Sequence, residues 1–145
     1  KRQEEVARQE SIAQALEART ADKVTCGEQQ PESDHFVKME WSDTGNDGGV
    51  QWRETRKWFS YRMKTNGRKV TAVRIAFRPE NNRDARVLIG DTEIGLFATA
   101  PNGIIELPVK SDIIGKSETV TLKIAKGNKD ITPLIYAVRL ITDNP

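Results

Sequence analysis

A single cysteine, Cys26, and a single histidine, His35, stand in a chain of 145 residues. One cysteine excludes an internal disulfide framework and any zinc site built from several thiolates. One histidine leaves little material for nucleophilic or metal-assisted catalysis. The remaining combination, Cys26 with His35 nine residues on, has no elbow turn or helix start behind the cysteine. Residues 24–27, Val-Thr-Cys-Gly, suit a strand end, where a thiol acts as a small buried hydrophobe. His35 is expected to hydrogen-bond the backbone of its own Ser33-Asp34-His35 turn. No apolar run approaches the ~18 residues of a membrane-spanning helix, so no membrane partner is expected. No apolar leader core follows the opening KRQEEVARQE, and the chain reads as a piece of a longer polypeptide.

What is present fits one domain of ordinary size, which buries roughly 68–70% of its extended surface and needs no covalent staple. The net charge of +2 conceals two blocks. Residues 20–49 carry two basic and seven acidic side chains, and residues 50–86 carry eleven basic and three acidic. The basic block suits nucleic acid or an acidic glycan, or it is neutralised by its acidic neighbour and by solvent. Aromatics are interleaved with it, as in single-strand binders. There is no RNA-recognition signature and no glycine-rich phosphate loop, so nucleic acid is set aside.

Residues 1–19 read as a helix with a thin apolar stripe (Val6, Ile12, Leu16 and alanines) and good helix formers around it. Such a helix needs another surface to lean on. Residues 1–22 are taken as a connector from a preceding domain and 23–145 as the domain proper. From Val24 the pattern changes to period two. Phe59, Tyr61 and Met63 alternate with Trp58, Ser60 and Arg62; after Asn66-Gly67, Val73, Ile75 and Phe77 alternate with Arg74, Ala76 and Arg78. These two runs are expected to form one hairpin. A second is expected around Gly90-Asp91, a turn at Pro101-Asn102-Gly103, a strand over 118–125 ending before Gly127, and a central strand over 134–141. Seven or eight short strands without intervening helices give an all-β fold, an antiparallel β-sandwich of jelly-roll type with one N-terminal helix. A closed barrel is the alternative.

Two stretches stand out. Residues 27–35, GEQQPESDH, contain no apolar side chain, and residues 52–61 read WRETRKWFSY. The polar run fits a cap, a turn or a binding edge. Together with the aromatic WFSY strand it resembles the C-terminal β-domain of bacterial β-L-arabinofuranosidase-like glycoside hydrolases, over Val24 to the C-terminus. The resemblance implies a galactose-binding-like sandwich without catalysis of its own. The catalytic centre of that family is a zinc–cysteine site in a separate helical barrel, and Cys26 alone does not match it. It further implies a bacterial, periplasmic or extracellular parent enzyme that degrades polysaccharide, whose catalytic domain is this domain's partner. Glu28, Gln29, Gln30, Glu32, Asp34 and His35 are then the expected domain interface, where unpaired polar atoms would cost ~1–3 kcal/mol each.

Two further site readings come from the residues. Asp43, Asp47, Gly48, Val50 and Glu54 fall at the first, fifth, sixth, eighth and twelfth places of a calcium-loop spacing, with Gly45 at the third. Its flanks read as strands rather than helices, and a glycine-rich loop between strands is the competing reading. Calcium is the only cofactor in view. Trp52 and Trp58, with Arg53, Arg62, Arg74 and Arg78, offer indole faces and planar cations to an oligo- or polysaccharide; packing or domain docking explains the same residues. Carboxylates at Glu28, Glu32, Asp34 and Glu40 would suit glycoside hydrolysis only as a spaced pair. Three functions follow: an accessory domain of a glycoside hydrolase, structural or sugar-binding; an independent carbohydrate-binding module; or a small stand-alone hydrolase.

Overall fold

The computed structural model describes residues 2–143. A helix, α1 (Arg2–Ala18), precedes nine strands. They are β1 (Thr20–Thr25), β2 (Lys38–Asp47), β3 (Val50–Lys64), β4 (Val70–Arg78), β5 (Ala85–Ile89), β6 (Thr92–Phe97), β7 (Ile104–Pro108), β8 (Thr119–Lys126) and β9 (Leu134–Thr142). Short helices α2 (Gln29–Asp34) and α3 (Ser111–Ile114) and a 3₁₀ turn at Pro101–Gly103 lie in the connections.

Every strand pairing is antiparallel. One layer runs β2-β3-β8-β5-β6 and the other β1-β9-β4-β7, joined where the start of β3 meets β9 at Arg53↔Ile135. The alternation read from sequence is realised: Phe59, Tyr61 and Met63 face Val73, Ile75 and Phe77 in the shared core with Val24, Val87, Leu122, Ile124, Val138 and Leu140. β9 is central, between β1 and β4. The β5–β6 hairpin forms as expected.

One expectation fails. β3 and β4 are not a hairpin. Asn66 and Gly67 do make a tight turn, with positive φ at both (54° and 69°) and Arg68 N–H donating to Thr65 C=O. The strands on either side then part. Thr65 N–H stays with Glu118 at the head of β8, while the Arg68 guanidinium donates to the Ala18 and Thr20 carbonyls beside the other layer. The turn is an arch from one sheet to the other.

The bend that lets β3 serve both layers is a bulge. Glu40 pairs with Trp58 and Ser42 with Thr55, so Trp41 alone faces both Arg56 and Lys57. Thr55 Oγ1 donates toward the Glu40 and Trp41 carbonyls and accepts from Lys57 N–H. Before the bulge β3 reaches β9; after it, β3 pairs with β8. Such irregularities commonly re-aim a side chain at a sheet margin.

α1 buries none of its residues. Its end is tied to the sandwich by Glu17–Arg139 and by Arg19 with Arg74 through Glu106. β1 begins at Thr20, before the alternation becomes visible at Val24. No helix among the described residues is long and apolar enough to cross a membrane.

Candidate functional site

The two stretches singled out in the sequence meet in space. Gly27 lies against the backbone of Trp52: a Cβ there would stand 2.6 Å from the Trp52 carbonyl oxygen. The polar run then forms α2, which turns Glu32 inward. Its carboxylate receives Arg53 Nε at 2.7 Å and Nη2 at 2.8 Å, the Tyr61 hydroxyl, and Gly27 N–H at 3.1 Å. Glu32 and Arg53 are only 4% and 5% exposed. Burial pushes the Glu32 carboxyl up, but the hydrogen bonds from Arg53, Tyr61 and Gly27 outweigh it and hold it below the usual carboxylate range. Arg53 Nη1 donates to Ser42 Oγ and Met39 Sδ.

This geometry corrects two readings. Glu32 is an internal group, not part of a docking edge, because its carboxylate is consumed inside the domain. Arg53 leaves the sugar-contact set for the same reason. Gln29, Gln30 and Asp34 remain exposed on α2, with Gln30 Nε2 donating to Asp34, while Glu28 and His35 are half-buried. His35 bonds the backbone within its own turn, as expected: Nδ1 lies 2.7 Å from the Pro31 carbonyl, and Nε2 reaches Asp22 at 3.0 Å.

No Cys–His nucleophile is assembled. Cys26 is fully buried beside Tyr61, and burial pushes its thiol up to about 12. A thiol so placed is protonated at neutral pH and does not attack.

The arginine–tryptophan groove is divided. Trp58 and Arg62 project from the outer face of the β3 layer, Arg74 and Arg78 from that of the β4 layer, on opposite sides of the sandwich. Arg74 pairs with Glu106 at 2.6 Å, and Arg78 with Glu80 and Asp47. Trp58 carries Lys123 Nζ 4.8 Å above its ring. Trp52 folds over Gly45, where a Cβ would fall 2.2 Å from its ring. Of the three tryptophans, the one left out of the expected set is the one presented to solvent. Trp41 is 76% exposed and sits at φ 52° in the bulge. Bulky residues seldom adopt that conformation, and such strain gathers at functional positions. Phe36, 64% exposed at φ 53°, occupies the residue after the α2 C-cap, where Val37 N–H and Phe36 N–H return to the Glu32 and Ser33 carbonyls. The sequence signal for Trp41 is that it brackets, with Trp52, the polar stretch of residues 43–51. What hid it was the unreadable bulge.

The calcium-loop spacing is a hairpin. Residues 43–47 pair with 50–54 across Gly48-Gly49, so Asp43 faces Glu54 across two strands instead of wrapping an ion. Asp47 and Glu54 are engaged by Arg78 and Arg83. Among the described residues no cluster of three or more His, Cys, Asp or Glu has metal-binding geometry. The melting temperature is therefore expected to be the same with calcium and with excess chelator; a rise with calcium would restore the site, since a ligand of the folded state must stabilise it.

The fold is a jelly-roll β-sandwich, shared with solved structures of low sequence identity. A family 35 carbohydrate-binding module from an environmental isolate superposes with a TM-score of 0.59 at 16% identity, over 84% of this chain and 93% of that one. The ANX1 ectodomain from Arabidopsis thaliana gives 0.57 at 15% identity, over 82% of this chain and 40% of that one. The GH26-CBM35 β-(1,4)-mannanase from Podospora anserina gives 0.52 at 12% identity, over 86% and 28%. The chain thus spans well under half the length of the latter two. It belongs to the family of unknown function DUF6805, whose family model matches residues 15–141. No curated protein matches it.

Proposed function

We propose that this domain is a non-catalytic accessory module of a glycoside hydrolase, and that it contacts carbohydrate at the β2 margin around Trp41. The observation that carries the reading is a solvent-facing indole held in a strained bulge. Trp58 lies on the paired strand, and the exposed Arg56 stands opposite Trp41 beside Lys57, which is ion-paired with Glu40. Indole faces accept the C–H patches of a sugar ring, and the cations beside them suit its hydroxyls. The shared fold with a family 35 carbohydrate-binding module supports the class of function by analogy. The exposed polar face of α2 (Gln29, Gln30, Asp34) is the docking surface for a catalytic domain in the same polypeptide. The parent enzyme resembles the β-L-arabinofuranosidase family and works in the periplasm or outside the cell. An independent binding module is the second reading, favoured by the same indole.

Trp41→Asn tests the site, because asparagine tolerates a positive φ. We expect tryptophan fluorescence of the wild type to respond to arabinose- or galactose-containing oligosaccharides at millimolar concentration. Trp41→Asn should abolish that binding while its melting temperature holds or rises. Absence of any response to a glycan array, or undiminished binding by the variant, would remove Trp41 from this role.

A further inference from the structure

Away from the Trp41 margin, the β3–β4 arch and the α3 connection between β7 and β8 enclose a cavity of about 340 Å³. That is the small end of the range for ligand pockets. Val70 and Ile114 form its apolar floor, and both are buried. Around it stand Arg68, Lys69, Lys116, Ser111 and Ser117. Among the described residues, none that lines it is acidic.

Arg68 is a strut, bound to the Ala18 and Thr20 carbonyls and to Thr142 Oγ1. The two lysines differ. Lys69 and Lys116 are exposed and make no ion pair among the described residues. Among the described residues neither lysine is ion-paired with Asp112, Glu118 or Asp143, and Asp143 accepts from Thr71. The Ser111 and Ser117 hydroxyls likewise have no hydrogen-bond partner among the described residues. Gly67 and Gly115 border open space at its mouth, where a Cβ on either would meet nothing within 4 Å.

We propose that this cavity binds a small oxyanion-bearing ligand, a carboxylate or a sulfate ester, between Lys69 and Lys116 with the serine hydroxyls as further donors. A concave space lined by one sign of charge over a low-dielectric floor concentrates the opposite charge. Ammonium groups act there as point charges that need no fixed fork geometry. Neutral sugar has no such claim on the site, so it is distinct from the indole margin.

The test is titration followed by amide chemical shifts and by melting temperature, at ionic strength held constant with chloride. Sodium sulfate and sodium galacturonate are the two probes, and galactose is the neutral control. We expect shifts confined to residues 65–70 and 111–117 with at least one anion and none with galactose. Response to sulfate alone assigns a sulfate source, and response to galacturonate alone a carboxylate source. A Lys69→Ala/Lys116→Ala variant, altered only at exposed positions, should bind at least about tenfold more weakly, and Trp41→Asn should bind as the wild type does. No response to either anion, or unchanged affinity in the double lysine variant, overturns the proposal.

Discussion

Glu32→Ala should lower stability by about 3–5 kcal/mol, the cost of leaving a buried partner charge uncompensated. The reason lies in what remains. Arg53 keeps its place at 5% exposure, with Nε and Nη2 facing a void where two carboxylate oxygens stood. The Tyr61 hydroxyl and the Gly27 N–H lose the same acceptor. For a domain of this size the loss corresponds to a fall in melting temperature on the order of 10 °C. Replacing both charges, Glu32→Leu with Arg53→Met, should recover a large part of it, because the charge and its orphaned partner leave together. A single variant that melts within a degree or two of the wild type would show that the pair is not a structural centre.

The same group sets an acid limit. Its folded pKa is depressed by Arg53, Tyr61 and Gly27. Its contribution is therefore complete above the unfolded carboxylate value of ~4.3 and is lost as pH falls through the folded value. Denaturant unfolding measured between neutral pH and the acid range should lose stability in that window for the wild type. Glu32→Gln should be the flatter of the two curves there, starting from a lower plateau. Parallel curves would place the titrating group elsewhere.

These residues also mark where sequence reading succeeds and stops. Period-two alternation reports which face of a strand is buried, and it placed Phe59, Tyr61, Met63, Val73, Ile75 and Phe77 correctly because burial of that face is the dominant local signal. It carries no information on which strand lies alongside. Asn66-Gly67 chose a turn, not a pairing; where a hairpin would pair β3 with β4, β3 pairs with β8 and β4 with β9, some sixty residues further on. That single error joined Trp58 to Arg74 and Arg78 in one groove, although they lie on opposite faces. The polar run hid its one inward side chain for a related reason. Glu32 has no apolar neighbour on α2 to mark a buried face, and its burial is decided by Arg53 on a strand 21 residues away. The Gly48-Gly49 turn was a visible hairpin signal, and it competed with a calcium-loop spacing that the flanking strands already contradicted.

Gly27→Ala should destabilise by about 2–4 kcal/mol, through two separable causes. Gly27 sits at φ 86°, outside the range that a residue with a Cβ adopts cheaply. The added carbon would also stand 2.6, 2.9 and 3.0 Å from the O, N and C of Trp52. These are backbone atoms at the start of β3, so no side chain can swing aside. Either β3 shifts away or the α2 turn opens, and both moves pull Glu32 off Arg53. Gly48→Ala supplies the control: φ there is 62°, and its Cβ would meet nothing within 4 Å. It carries the conformational cost alone, ~1–2 kcal/mol. The difference between the two variants in denaturant unfolding then measures the close approach to Trp52. Equal losses would mean that Gly27 is required only for its φ. A larger loss at Gly27, reduced when the Glu32–Arg53 pair is already replaced by Leu and Met, would tie the first residue of the polar run to the strand it packs against.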